Sequence, residues 1–299
     1  MGKSQVYGES KAQSASQVQE TEVCQICPMA GQEAEWSKGL PEGVYEELAL
    51  GEEGSGVTWS ITKVNNSFAD MEMLDDSVFD ITLTDPPYPD HVQSNLCSGS
   101  LVGTKSVPKY ELSFAALNPA QYSWLEDAMH ISKRWVLSFC AVESFGHFQA
   151  MYGRSYIRGG IWTKPNAMGQ LTADRPATCY EGIACMHRMD AKKRWNGRGG
   201  YGVWSCNGTR GKKGRHPNEK PIDLCMKLVS LFSDRGETVF DPFCGSSAIG
   251  EACVRLGRNY VGWDNSQEWV DKSIARLSAN LEPVTDEFAL GLCRPWGNK

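Results

Sequence analysis

The chain carries a tetrapeptide, Asp85-Pro86-Pro87-Tyr88, whose residue types could hold and polarise a small polar group. It offers a carboxylate, a rigid loop with free carbonyls and an aromatic ring. The preceding run 77–84 is β-branched and apolar, which predicts a strand that the prolines end, because neither has an N–H to donate to a sheet. Ligands bind at the carboxyl ends of strands in open α/β sheets, so we predict a site here. The alternative is an ordinary strand-ending turn, which Asp-Pro often starts.

A second stretch, Phe240 to Gly250, is rich in small residues and separates a predicted strand from a predicted helix. Small residues let the main chain approach a ligand closely, and a helix N-terminus offers free N–H groups. The next predicted strand ends in Asp264, where an acid receives ribose hydroxyls in Rossmann-like sites. The loop lacks the GxGxxG pattern, which argues against a dinucleotide, and the alternative is a tight strand–helix turn. Upstream, His216 to Pro221 by itself predicts only a helix start.

Basic residues are concentrated in one part of an otherwise acidic chain. The net charge is −6, yet the segment from Arg188 to Lys220 carries +8 and the remainder −14. Trp195, Tyr201, Trp204 and several glycines are interleaved with these charges, and base stacking uses aromatic rings. We therefore favour a nucleic-acid partner over a solvated basic loop.

Length and composition exclude other classes of protein. The 299 residues, 41% of them hydrophobic, suffice for a substantial core. No apolar run approaches the roughly 18 residues that cross a bilayer, and no signal peptide begins the chain, so we predict a cytoplasmic protein without membrane association. Eleven cysteines, an odd number, suit reduced thiols better than a disulfide framework. Cys24 and Cys27 form a lone CxxC pair without further ligands nearby, so no metal site is predicted.

Alternating strand and helix patterns lead into and out of these motifs, which is typical of an α/β fold. Strands are predicted at 57–62, 77–84, 135–140, 156–163, 180–187, 238–240 and 259–263. Helices are predicted at 118–133, 143–152, 221–232, 247–256 and 266–281. Residues 36–56 suggest a linker or an irregular wrap over the domain.

Taken together, the motifs resemble the beta-class amino-methyltransferases, which use S-adenosylmethionine to methylate exocyclic amines in DNA. The resemblance runs from about Asn65 to Leu281 and rests on the order of six segments: Asp80–Tyr88, Trp162–Asn166, Tyr180–Ile183, His216–Pro221, Phe240–Ser246 and Gly257–Asp264. It implies a class I methyltransferase fold. That fold is α/β and Rossmann-like, with a doubly wound, mostly parallel sheet, an antiparallel hairpin strand and a small basic recognition insert.

The resemblance also implies roles for single residues. Asp85 and the Pro86 carbonyl, on the rigid Pro86-Pro87 turn, would accept hydrogen bonds from the target amine, while Tyr88 stacks on the base. The cofactor would be S-adenosylmethionine, with Asp264 on its ribose. Its remaining contacts would be Asp241, Phe243, Gly245 and Ser246 along the methionine part, and His216, Asn218 and Lys220 on the other side. Nucleic-acid contacts would come from Lys192, Lys193, Arg194, Arg198, Arg210, Lys212, Lys213 and Arg215.

We divide the chain into five parts: a mobile tail and linker (1–55), a catalytic half (56–187), a basic recognition insert (188–215), a cofactor-binding half (216–282) and a tail (283–299). The predicted partner is DNA, with a homodimer as the alternative to a monomer. Asp at position 85 favours N6 of adenine, since relatives acting on N4 of cytosine more often have Ser there. The short insert predicts a short or relaxed target sequence. The alternatives are the same fold acting on cytosine, RNA or a protein amide, and an inert nucleic-acid-binding module.

One departure from the resemblance concerns the turn within the stretch Phe240 to Gly250, which we call the cofactor loop. Many relatives carry Gly-Ser-Gly where this chain has Gly245-Ser246-Ser247. We therefore expect the turn of this loop to differ from that of the relatives.

Overall fold

The structure, a computed structural model, describes residues 45–53, 56–65, 67–87, 123–170, 174–209 and 219–293. Its strands are β1 (Tyr45–Glu53), β2 (Val57–Val64), β3 (Ile81–Thr84), β4 (Trp135–Cys140), β5 (Tyr156–Thr163), β6 (Tyr180–His187), β7 (Val203–Ser205), β8 (Thr238–Asp241) and β9 (Asn259–Asp264). They form one nine-stranded sheet in the order β1-β2-β9-β8-β3-β4-β6-β5-β7.

The centre of the sheet is parallel: β2, β9, β8, β3 and β4 run in one direction. Every residue of β3 and β4 is buried, as expected for parallel strands that helices cover on both faces. β6 is antiparallel to β4 and to β5, which supplies the antiparallel hairpin strand predicted from the sequence. β7 then pairs in parallel with β5 at the edge.

Helices cover both faces of this sheet. The helices are α1 (Ser67–Met71), α2 (Trp124–Ile131), α3 (Phe145–Tyr152), α4 (Ile222–Phe232), α5 (Ala248–Arg255), α6 (Gln267–Leu277) and α7 (Asp286–Gly291). Apolar residues of α1 to α3 form a core with one face, and those of α4 to α7 form a second core with the other. The doubly wound architecture is thereby confirmed. None of the described helices is long and apolar enough to cross a membrane.

The predicted strands and helices are present, with ends that differ by a few residues, whereas β1, β7 and α7 lie in segments for which no strand or helix was predicted. Residues 45–53, assigned to a linker, form β1, which pairs antiparallel with β2 through a turn at Gly56, where φ is +74°. Their sequence alone has little strand character, but the edge of β2 supplies main-chain partners. Beyond Pro283, in the segment assigned to a tail, α7 buries Ala289. The start of α2 predicted at 118, and the Cys24–Cys27 pair, lie outside the described residues.

The strand order reverses between β8 and β3. After β8 the next strand, β9, lies on one side, and after β3 the next strand, β4, lies on the other. Ligands of doubly wound sheets bind in the crevice at such a point, beyond the carboxyl ends of the strands. The residues at that point are Asp241, which ends β8, and Asp85, which follows β3.

Candidate functional site

Thr84 and Asp241 join the two strands that meet at this crevice. The Thr84 hydroxyl donates to Asp241 Oδ1 over 2.6 Å, and both side chains are buried. Thr84 is the last residue of β3, so this bond fixes the position from which Asp85 projects. The two loops that the sequence singles out are therefore coupled directly at their bases.

Asp241 lies at the base of the cofactor loop and is buried, with only 1% of its surface exposed. Its carboxylate also accepts from the Tyr260 hydroxyl at 3.2 Å and from the Phe243 N–H at 3.3 Å. Burial raises the pKa of Asp241 to about 7, although the hydrogen bonds from Thr84, Phe243 and Tyr260 oppose that shift. Asp241 thus holds the loop together from below.

Asp264 anchors the same loop from the end of β9. Its Oδ2 accepts from the Gly245 N–H at 2.9 Å, and its Oδ1 accepts from the Ser266 N–H at 2.8 Å. Burial raises the pKa of Asp264, while these main-chain N–H groups lower it. The predicted ribose-binding acid is therefore placed beside the loop with its orientation set by two main-chain donors.

The loop turns through two left-handed residues, Gly245 with φ +50° and Ser247 with φ +52°. A Cβ added at Gly245 would meet no atom within 4 Å, so the main chain there borders open space. Glycine adopts such a φ freely, whereas a serine does so at a cost of about 1–2 kcal/mol. The departure from Gly-Ser-Gly thus introduces backbone strain at Ser247.

Side chains from α6 and from the segment before α4 hold the rim of the loop. The Ser273 hydroxyl donates to the Gly245 carbonyl at 2.7 Å, and Arg276 donates to the Ser246 carbonyl at 2.9 Å. Ser246 in turn donates to Glu219 Oε2 at 3.0 Å. Glu219 belongs to the segment His216–Pro221, so its carboxylate joins the end of that segment to the cofactor loop.

Lys220, the next residue, points to the Asp85 side of the crevice. Its Nζ lies 2.6 Å from Asp85 Oδ2 and 3.3 Å from Glu181 Oε2. Burial lowers the pKa of Lys220, but the carboxylates of Asp85 and Glu181 outweigh burial and raise the pKa above its usual range. Glu181 also forms an ion pair with Lys164. Charges of alternating sign therefore run along this edge of the sheet.

Several predicted site residues lie outside the described part of the chain. They are Tyr88, Arg210, Lys212, Lys213, Arg215, His216 and Asn218. The described residues that flank 210–218 are Thr209 and Glu219, and the Thr209 hydroxyl donates to the Glu219 carbonyl at 2.5 Å. That segment therefore leaves and rejoins the described chain at the edge that carries Asp85.

Four predicted nucleic-acid contacts precede β7 and lie near the amino end of β4, away from Asp85: Lys192, Lys193, Arg194 and Arg198. Arg194 pairs with Asp234, and its carbonyl accepts from the indole N–H of Trp135, the first residue of β4. β4 has six residues, so its two ends are about 20 Å apart. The structure therefore does not bring this half of the basic insert to Asp85, because the chain reaches the Asp85 end of the strands only after β7.

Arg188, the first basic residue of the block, has a structural role. Its guanidinium pairs with Asp76 and with Asp190, and it also donates to the His130 carbonyl at 2.8 Å. These partners lie before β3, beyond β6 and in α2, so Arg188 ties three segments together at the edge away from Asp85. Its charge is compensated within the fold.

The site also uses residues to which sequence reasoning assigned no role. Glu181 and Lys164 lie in segments that carry the resemblance, but no local pattern indicates that Glu181 pairs with both Lys164 and Lys220. Arg276 occupies a polar position of an amphipathic helix, where a solvent-facing residue is the usual expectation. Only the strand order places these side chains near the two loops.

A family model and two curated relatives match the chain. Residues 79–276, more than half of the chain, match the N6/N4 methyltransferase family described as DNA methylase. Type II methyltransferase M.Cfr9I of Citrobacter freundii is 30% identical over 154 residues, which are 48% of this chain and 48% of that protein. Type II methyltransferase M.XycI of Xanthomonas campestris pv. cyanopsidis is 31% identical over 141 residues, or 43% and 47%. The chain thus spans about half the length of these curated relatives.

Solved structures share the fold. M1.HpyAVI, crystallised as a complex with SAM, superposes with a TM-score of 0.56 at 20% identity, over 74% of this chain and 100% of that one. The PvuII DNA methyltransferase, described as cytosine-N4-specific, superposes with a TM-score of 0.56 at 12% identity, over 81% and 94%. At these identities the likeness concerns architecture alone. On the strength of the family match, the chain belongs to the N6/N4 DNA methylase family.

Proposed function

We propose that this protein transfers a methyl group from S-adenosylmethionine to the N6 amine of adenine in DNA. The observation that carries the proposal is the direct joint between the two loops, in which Thr84, next to Asp85, donates to Asp241 at the base of the cofactor loop over 2.6 Å. Transfer requires the amine and the methyl donor to be held a few ångströms apart, and a rigid joint between their binding loops achieves that.

The residues at the crevice fit S-adenosylmethionine. Asp264 presents a partly buried carboxylate of fixed orientation, suited to ribose hydroxyls, and Gly245 leaves open space along the loop main chain. When bound, the cofactor supplies an activated methyl group.

The chain's own residues then orient the target amine. An aromatic amine is a poor nucleophile because its lone pair is delocalised into the ring. Two acceptors, Asp85 and the Pro86 carbonyl, hold its hydrogens and favour a pyramidal nitrogen whose lone pair faces the methyl group. Tyr88 stacks on the base, which offsets the few kcal/mol that leaving the duplex costs.

Adenine is proposed over cytosine because position 85 is Asp rather than Ser. The basic insert, residues 188–215, is short, and its part before β7 lies away from Asp85. We therefore propose a short or relaxed target.

Mass spectrometry of nucleosides tests the proposal. DNA incubated with the protein and S-adenosylmethionine carrying a deuterated methyl group is expected to yield labelled N6-methyladenine. Labelled N4-methylcytosine would overturn the choice of base and favour the cytosine alternative. Parallel incubations contain RNA or a protein substrate in place of DNA, and label confined to either would overturn DNA as the substrate. Cofactor binding without any transfer would favour an inert binding module. Methylation-aware sequencing of the product tests target length, and a long strict consensus would contradict a relaxed target.

A further inference from the structure

The amine of Lys220 is enclosed by groups that belong to the catalytic edge of the crevice. Its side chain is 6% exposed, with Nζ 2.6 Å from Asp85 Oδ2, 3.3 Å from Glu181 Oε2 and 4.9 Å from the centre of the Phe139 ring. Phe139 belongs to β4 and Glu181 to β6, the two strands beyond β3 on the Asp85 side. The amine is thus surrounded by the Asp85 half of the site.

Burial of the Lys220 ammonium at this position is unfavourable unless carboxylates pair with it. Lys220 lies two residues before α4, whose N-terminus carries a partial positive charge. An ammonium removed from water also loses favourable solvation, which only well-placed carboxylates recover. The paired charges therefore serve the geometry of Asp85 rather than the stability of the helix.

We infer that Lys220 is a positioning residue that acts through Asp85, not a contact of the cofactor. The inference rests on the proposed function. A cation held at one oxygen fixes the plane of the Asp85 carboxylate, so that it meets the target amine in one orientation. Positioning of this kind raises the rate of the bound complex and leaves the affinity for the cofactor unchanged.

Glu181 is the second anchor of the same amine. It binds Lys220 through Oε2 and Lys164 through Oε1, and the Lys164 amine lies 4.4 Å from the centre of the Trp162 ring. Two fixed carboxylates define the position of Nζ better than one does. Through Lys220, the orientation of Asp85 therefore depends on contacts with β5 and β6 as well as on β3.

The decisive experiment separates cofactor affinity from turnover in Lys220→Met, which keeps most of the side-chain volume and removes the charge. We expect kcat to fall about 100-fold, a loss typical of a group that orients a reacting partner. We expect the Kd for S-adenosylmethionine, measured by calorimetry, to stay within about threefold of wild type. A Kd that weakens as much as kcat/KM falls would overturn the inference and assign Lys220 to the cofactor.

Lys227→Met is the matched control. Lys227 lies in α4, is partly buried and donates to the Leu290 carbonyl, so its removal deletes a similar amine without touching Asp85. We expect kcat within about twofold of wild type. If this variant slowed transfer as much as Lys220→Met, loss of a buried amine in general would explain both effects, and the inference would fail.

A comparison in the Asp85→Asn background tests whether Lys220 acts through Asp85. Label accumulated overnight is measured for the single and the double variant. We expect Lys220→Met to slow Asp85→Asn by less than about threefold, because the two residues act as a unit. A further slowing of about 100-fold would show independent roles and contradict the inference.

Two further measurements cover variants that do not fold and a failure of the proposed function. If Lys220→Met does not fold, Glu181→Gln is used, with a smaller fall in kcat and an unchanged Kd expected. A weaker Kd in that variant would overturn the inference. If wild-type protein methylates no DNA, the proposed function is wrong, but the Kd of Lys220→Met still decides whether Lys220 contacts the cofactor.

Discussion

Asp85 is the residue on which the proposed chemistry depends. Its carboxylate lies at the carboxyl end of β3 and is paired with Lys220 at 2.6 Å. The aromatic amine needs an acceptor rather than a strong base, because holding its hydrogens is enough to direct its lone pair. Loss of this one carboxylate is therefore expected to slow turnover strongly.

We predict that Asp85→Ala abolishes methyl transfer, lowering kcat by at least about 100-fold, and spares cofactor binding. Transfer of labelled methyl groups and calorimetry with S-adenosylmethionine measure the two quantities. Asp80→Asn is the control, since Asp80 lies at the other end of the same strand, where it accepts from the Thr238 N–H at 2.8 Å. Full activity in Asp85→Ala would refute the assigned role.

Ser247 shows how one residue strains the cofactor loop. Its φ of +52° is left-handed, and its hydroxyl makes no cap bond to α5. We predict that Ser247→Gly is more stable than Ser247→Ala by about 1 kcal/mol, because both lose the hydroxyl and only glycine relieves the backbone. Urea unfolding measures the difference, and an alanine variant of equal or greater stability would show that the turn is unstrained.

At the scale of elements, the joint between β3 and β8 determines the site. Their backbone register covers only two pairs, Ile81 with Val239 and Thr82 with Phe240. The bond from Thr84 to Asp241 extends this short contact to the ends of both strands. Close packing of Gly250 and Gly262 against the Tyr260 ring, where an added Cβ would come within 2.5 and 2.8 Å, brings the Tyr260 hydroxyl to Asp241.

Asp241 makes this joint sensitive to pH. Its pKa rises from an ordinary 3.8 to about 7 in the folded chain, so the folded state binds the proton more tightly. That contribution to stability is fully present below pH 3.8 and is lost as pH rises to about 7. We predict that Asp241→Asn gains on wild type, on the order of 2 kcal/mol, between pH 5 and pH 8. Urea unfolding at both values checks this, and parallel pH dependences would contradict it.

At the scale of the whole molecule, β7 divides the basic block. Before β7, the exposed Lys192, Lys193 and Arg198 lie at the edge away from Asp85. After β7, the Cys206 N–H donates to the Thr163 carbonyl at 3.0 Å, which places the chain at the Asp85 edge. The described half of the basic block is thereby separated from the end of the sheet that carries Asp85.

We predict that alanines at Arg210, Lys212 and Lys213 weaken DNA binding and reduce the slope of its salt dependence by about 0.9 for each phosphate that is no longer neutralised. Alanines at Lys192, Lys193 and Arg198 are expected to change affinity for a short duplex by less than about threefold. Fluorescence anisotropy over a range of salt concentrations compares the two triple variants. Equal weakening in both would show that DNA reaches both edges of the sheet.

The sequence by itself determined the types and order of the elements and the two loops. Hydrophobic period, prolines and small residues act locally, so they predict β3 and its Asp85 turn, β8 and its loop, and β9 ending in Asp264. The order of these motifs was enough to identify the family.

The tertiary structure alone decided which side chains meet. Thr84 and Asp241 are 157 residues apart, and Lys220 pairs with Asp85 and Glu181 across three separate segments. Such contacts depend on strand order and register, which no local pattern encodes. For the same reason local patterns assigned residues 45–53 to a linker and did not indicate that Lys220 pairs with Asp85. A free sheet edge makes 45–53 a strand, and two carboxylates near Lys220 join it to Asp85.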